Sequence, residues 1–177
     1  KEQGLDKIIL DHFKLKSRST DLKDWAKFVV ERAIHPRHRI TVAIVGKYIG
    51  LQDAYKSIYE SLVHAGIYND AKVIIKKIDS EEIEKHGLGS LLDDVSGILV
   101  PGEFGYRGIE GKIEAIRYAR VNKIPFLGLC IGMQCAVIEF SRNVCGMKGA
   151  NSTEFDKKSK YPVISLLEEQ KHIKDMG

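Results

Sequence analysis

Ile124-Pro125-Phe126-Leu127-Gly128-Leu129-Cys130-Ile131-Gly132-Met133-Gln134 changes its hydrophobic period part-way along. Ile124 to Leu129 is an apolar run of strand length, whereas Gly132 to Asn143 places apolar residues at helical spacing. Between them Gly128-Leu129-Cys130-Ile131-Gly132 sets a nucleophile midway between two glycines. At a strand-to-helix turn this is the elbow arrangement, so tight that the residues two positions either side of the nucleophile must be small. The nucleophile then projects at a helix N-terminus, where the dipole and unpaired N–H groups favour a thiolate and can receive an oxyanion. The competing reading is a buried, inert thiol, since free Cys is among the most buried residue types. Cys135, on the following helix, and Cys145 lack this context and read as structural.

Working outward, the pattern repeats. Ile40 to Val45, Lys72 to Ile78 and Val95 to Val100 are further strand-like runs. Helical stretches are expected over Asp53–Ala65 and Ile109–Val121, with Asp53 a candidate N-cap. Alternating strands and helices predict an α/β fold on a parallel sheet, whose sites lie beyond the carboxyl ends of the strands. After Gly146 the signal weakens: Asn151 to Lys160 is loop-like, Tyr161 to Leu167 suits another strand, and the last ten residues are charged. The first 38 residues differ from the rest. Leu5, Ile8, Ile9 and His12-Phe13 suit a short amphipathic helix, and a second is expected from Asp21 to about Ala33, capped by Thr20 or Asp21 and ended by His35-Pro36. This region reads as a helical connector to something upstream, and 39–177 as the domain proper.

Composition narrows the class. The chain has 177 residues, 44% hydrophobic and 29% charged, as in ordinary globular domains. It contains no run of 18 apolar residues, so no transmembrane helix is expected. A net charge of +4 with scattered Lys and Arg gives no basic stripe for nucleic acid, although an anionic small ligand remains compatible. Three cysteines at C-x4-C-x9-C spacing suit neither a disulfide framework nor a zinc site, so no metal is expected and a reducing cytoplasm fits best. The opening Lys1-Glu2-Gln3-Gly4 lacks Met and an apolar signal core, which suggests a fragment.

Two further segments stand at strand ends. Pro101-Gly102-Glu103-Phe104-Gly105-Tyr106-Arg107-Gly108 follows the Val95–Val100 run. Such a turn either offers N–H groups to an anion or a tetrahedral intermediate, or simply connects strand to helix. Gly46-Lys47-Tyr48, with Asp53-Ala54-Tyr55-Lys56-Ser57 beyond it, follows the first strand without the spacing of a phosphate loop.

Taken together, Val45-Gly46-Lys47-Tyr48, Asp53-Ala54-Tyr55-Lys56-Ser57, Phe104-Gly105-Tyr106-Arg107-Gly108, Gly128-Leu129-Cys130-Ile131-Gly132-Met133-Gln134 and Asn151-Ser152-Thr153-Glu154-Phe155 resemble the class I glutamine amidotransferase domain of the CTP synthases. The likeness runs along essentially the whole chain, and Glu2-Gln3-Gly4-Leu5-Asp6 resembles the end of that family's synthetase domain. It implies a flavodoxin-like parallel-sheet domain, incomplete at its C-terminus. It also implies glutamine hydrolysis through a Cys130 thioester, feeding ammonia to ATP-dependent amination of UTP to CTP in the full-length enzyme. By the same resemblance, N–H groups near Gly102, Glu103 and Ile131 form the oxyanion hole, while Gln134 and Glu154 hold the amino-acid end of glutamine. Tyr106, Arg107 and Gly108 fall in a lid, and Lys56 and Arg107 are candidates for contacts linked to GTP, the family's allosteric activator. Implied partners are L-glutamine, the synthetase domain of the same chain with its ATP and Mg, and a homotetramer; no cofactor is implied for this segment. Alternatives are a non-catalytic regulatory or assembly module on the same fold and an unrelated cysteine hydrolase.

Two departures bear on activity. The family's turn reads Pro-Gly-Gly-Phe-Gly, whereas position 103 here is Glu. Were φ positive there, a side chain would cost about 1–2 kcal/mol, and a carboxylate beside a developing oxyanion would oppose it. Second, the family's catalytic His and Glu lie in a downstream His-Pro-Glu-Phe-like stretch that is absent from these residues. None of His12, His35, His38, His64, His86 and His172 has the context of a base, so the stretch alone is expected to be inactive.

Overall fold

A computed structural model describes residues 3–16 and 21–167. Along the chain run α1 (Leu5–His12), α2 (Lys23–Trp25), a π-helical turn (Ala26–Val30), α3 (Glu31–Ile34), β1 (His38–Gly46), α4 (Lys56–Tyr68), β2 (Ala71–Asp79), α5 (Ser80–His86), β3 (Gly97–Val100), α6 (Ile109–Asn122), β4 (Phe126–Gly128), α7 (Ile131–Asn143), β5 (Asn151–Ser152) and β6 (Pro162–Ile164). The main sheet is wholly parallel in the order β2-β1-β3-β4. Strand order therefore reverses between β1 and β3, and the crevice beyond their carboxyl ends is where an open α/β sheet binds its ligand.

Both sheet faces are covered over the second half of β1 and the whole of β3, which is why Val42 to Val45 and Gly97 to Val100 carry no polar side chain. Ala43, Val45, Ile98 and Val100 pack with Ile113, Ile116, Ile131 and Ile138 of α6 and α7. Ile44 and Leu99 face the other way, onto Tyr55 and the α4 residues Ile58, Tyr59 and Leu62. Burying each of these larger side chains contributes about 1.5–3 kcal/mol. The expected parallel α/β fold is thus present. By contrast α1, α2, the π-helical turn and α3 bury no residue, and Leu5, Ile8 and Trp25 are exposed.

Several boundaries differ from the sequence reading. α4 begins at Lys56, and Asp53 does not cap it: the cap position is Tyr55, without a side-chain cap bond. The reason is tertiary, since the Tyr55 ring is buried and holds residues 51–55 in turns, with Ala54 N–H donating to Leu51 O and Lys56 N–H to Asp53 O. α5 was not expected, because Ile83 is its only large apolar residue; its signal was the Asp79 carboxylate, which accepts the Glu81 N–H at 2.8 Å. The second connector helix is divided by its π-helical turn. Asp21 accepts the Lys23 N–H at 3.0 Å, whereas Thr20 lies outside the described residues, as do His172 and the charged end. The segment read as a loop contains β5, which pairs in parallel with β6 inside the expected Tyr161–Leu167 strand.

Candidate active site

β4 ends at Gly128 and α7 begins at Ile131, so two residues make the whole turn. Cys130 takes φ 53° and ψ −111° there. For a residue with a Cβ that conformation costs on the order of 1–3 kcal/mol, and it persists only where the surroundings dictate it. They do so through glycine contacts. A Cβ on Gly128 would stand 2.5 Å from the Gly132 carbonyl carbon, and one on Gly132 would stand 2.2 Å from Val100 O. Leu129 N–H donates to Val100 O at 2.9 Å, and the Met133 and Gln134 N–H groups donate to Cys130 O. The Cys130 thiol is exposed, which removes the reading as a buried core cysteine. Cys135 fits that description instead: it is fully buried, and desolvation pushes its thiol up to about 12.

The glycine-rich turn runs alongside. A Cβ on Gly102 would lie 3.1 Å from Cys130 Cβ and 3.9 Å from its Sγ, so the Gly102 backbone sits against the nucleophile. Ile131 is the first residue of α7, a position whose N–H has no intrahelical acceptor. Gln134 stands one turn along α7, and its Oε1 is buried with no hydrogen-bond donor among the described residues. Glu154 follows β5, which packs on α7; its carboxylate is exposed, and its N–H donates to Ser152 Oγ at 3.2 Å.

Glu103 corrects both parts of its expectation. Its φ is not positive, so glycine is not required at that position. Its side chain turns inward and is only 1% exposed. The carboxylate pairs with the Lys112 ammonium, whose side chain is fully buried, and accepts from Tyr55 O–H at 2.7 Å and Lys47 N–H at 3.3 Å. Burial, followed by the Glu103 hydrogen bond, drives the Tyr55 hydroxyl well above the usual phenol range. Lys112 was missed by the sequence reading. Its signal was a lysine amid Ile109, Ile113 and Ile116, inside the apolar stripe of α6.

The remaining candidates do not converge. Tyr106 is 76% exposed, Arg107 pairs with Glu81 at 3.2 Å, and the adjoining cavity is lined by Glu81, Glu84, Lys85, Tyr106, Arg107 and Gly108 but not Lys56. Gly108 sits at the cap of α6, where a Cβ would meet Ser80 Oγ at 2.3 Å. Lys56 is exposed at the start of α4. No described histidine hydrogen-bonds Cys130. Among the described residues no helix is long and apolar enough to cross a membrane, and no cluster of metal-ligating side chains occurs.

The model of one family, glutamine amidotransferase class-I, matches residues 50–173. The chain belongs to the class-I glutamine amidotransferases. Among the relatives of this amidotransferase, the CTP synthase of Methanocaldococcus jannaschii is 56% identical over 99% of this chain and 34% of its own length. The CTP synthase of Desulfitobacterium hafniense is 59% identical over 99% of this chain and 33% of its own length. The chain therefore spans about a third of the length of these curated relatives. A solved structure, the glutaminase domain of Trypanosoma brucei CTPS with bound acivicin, superposes on the amidotransferase with a TM-score of 0.69. It is 40% identical and covers 74% of this chain and 51% of its own.

Proposed function

We propose that this amidotransferase hydrolyses L-glutamine through a thioester on Cys130. The observation that carries the reading is the exposed thiol held at positive φ on the elbow, against the Gly102 backbone. Cys130 Sγ attacks the glutamine amide carbon. The oxyanion is received by N–H groups of the Gly102-Glu103 turn and of Ile131. Collapse expels ammonia, and water then cleaves the thioester to release glutamate and the thiol. The unpaired Gln134 Oε1 offers an acceptor, and the exposed Glu154 carboxylate a counter-charge, to the substrate's ammonium end. The proton taken from the thiol and returned to the leaving amine needs a base. We assign it to the histidine of a His-Pro-Glu-Phe-like stretch outside these 177 residues, so this stretch by itself is inactive.

In the longer protein the ammonia serves ATP-dependent amination of UTP to CTP, a reaction that rests on the sequence resemblance and accords with relatives named CTP synthase. ATP and Mg then belong to a synthetase domain joined through residues 1–38, in a cytoplasmic homotetramer. The lid role of Tyr106, Arg107 and Gly108 and the GTP contacts of Lys56 and Arg107 rest on the resemblance alone. Glu81 and Glu84 line the cavity beside Arg107, a poor setting for a phosphate.

Treatment of the full-length protein with a glutamine-like electrophile, followed by peptide mapping, tests the assignment. The label is expected on Cys130 and is expected to be blocked by glutamine. Equal labelling of Cys145, or labelling that glutamine does not block, would overturn it.

A further inference from the structure

Glu103 occupies the oxyanion turn, yet its side chain is only 1% exposed. Three elements meet on its carboxylate: Lys47 N–H just past β1, Tyr55 O–H just before α4, and the Lys112 ammonium on α6. Lys47 also reaches across with its Nζ to donate to Phe104 O, so one residue grips the turn from both ends. The turn has little else to hold it. Gly102 has no side chain, Phe104 is 85% exposed, and Gly105 takes φ +86°. Gly102 is also the residue that packs on Cys130.

We propose that Glu103 is a positioning residue whose buried carboxylate fixes the 102–104 turn, and with it the oxyanion donors, relative to Cys130. Glycine at this position would leave the turn to its backbone alone and leave the Lys112 ammonium buried without a counter-charge. The inference rests on the glutaminase reading above. It goes beyond that reading in giving the side chain of Glu103, and not only its N–H, a part in the reaction. A purely structural alternative is that Glu103 serves only to neutralise Lys112.

Two double variants of the full-length protein separate these. Glu103→Gln with Lys112→Met removes both charges but keeps an acceptor for Lys47 and Tyr55. Glu103→Ala with Lys112→Met removes the charges and the tether together. A displacement of about 1 Å at a reacting group costs up to roughly a hundredfold in rate. The alanine pair is therefore expected to fall at least roughly tenfold below the glutamine pair in kcat for glutamine hydrolysis. KM should stay within about twofold, and alkylation of Cys130 by iodoacetamide should be equal in both. Equal kcat in the two pairs would overturn the proposal while leaving the glutaminase reading intact. Wild-type protein that does not hydrolyse glutamine would overturn the parent reading and this one with it. Should the alanine pair fail to fold, Tyr55→Phe, which deletes one tether hydroxyl, decides: a several-fold drop in kcat at constant KM supports the proposal, and wild-type kcat overturns it.

Discussion

Gly132→Ala places a methyl group 2.2 Å from Val100 O and 3.0 Å from Val100 C and Cβ. Ordinary contact begins at 3.4 Å, so the deficit against the carbonyl oxygen is about 1.2 Å. The obstructing atom is backbone in the most buried strand of the sheet, with every residue of β3 buried, so it has no rotamer by which to escape. Either α7 lifts off β3 or the elbow opens. Overpacking of this kind costs about 1–3 kcal/mol, and the fixed backbone places this case near the upper end. The same shift carries Cys130 and the Ile131 N–H away from Gly102, and displacement by about 1 Å costs up to roughly a hundredfold in turnover. Thermal unfolding and glutaminase kinetics on the full-length protein read the two effects in one preparation. The expected result is a lower Tm together with a kcat reduced by at least roughly tenfold. A variant with wild-type Tm and wild-type kcat would refute the argument that Gly132 is fixed by contact with β3.

Cys130→Gly should abolish glutamine hydrolysis yet raise Tm, because glycine relieves a positive-φ strain on the order of 1–3 kcal/mol; a lower Tm would mean that the elbow is not strained at this residue. Lys112→Met alone should destabilise by about 3–5 kcal/mol, since it leaves the Glu103 carboxylate buried and unpaired; Lys112→Met with Glu103→Gln should recover much of that loss in chemical denaturation. Burial raises Cys135 from 9.0 to about 12, so between those values the unfolded chain holds fewer protons than the folded one. Stability should therefore be full below pH 9 and fall as pH rises toward 12, with Tyr55 adding to the loss above its ordinary value of 10.0. Cys135→Ala should flatten that slope in unfolding curves taken from pH 8 to 11, and an unchanged slope would count against the burial argument.

The parallel sheet was legible because strands covered on both faces need apolar residues at successive positions, as Val42 to Val45 and Gly97 to Val100 supply. The elbow was legible because a nucleophile flanked by two glycines falls where a strand period gives way to a helix period, although the contact that fixes Gly132, Val100 O on β3, lies outside the turn. What was not legible depended on partners far apart in the chain. The start of α4 is set by Tyr55, whose ring is buried and whose hydroxyl is held 48 residues away at Glu103. The orientation of Glu103 depends on Lys47 just past β1, Tyr55 just before α4 and Lys112 on α6. A sequence shows a carboxylate in a glycine-rich turn, and without those partners the surface is the default place to put it. α5 escaped notice for another reason: with Ile83 as its only large apolar residue, it has no stripe to detect.

The two halves of the candidate site are braced against the same strand end. Val100 O accepts the Leu129 N–H and touches Gly132, which sets the elbow. The residues that follow Val100 in the chain are Pro101 and Gly102, which lead directly into the oxyanion turn. Movement of β3 would therefore carry nucleophile and donors together and leave their separation nearly constant. Movement of the turn alone would change that separation, and it is resisted by Glu103 and Lys47. The strain at Cys130 is stored against the rigid partner, the sheet, while the adjustable partner, a glycine-rich turn, is secured by a buried ion pair and hydrogen bonds. Loss of the tether should thus leave the thiol's reactivity toward a simple alkylating agent intact while slowing the step that needs an oxyanion donor.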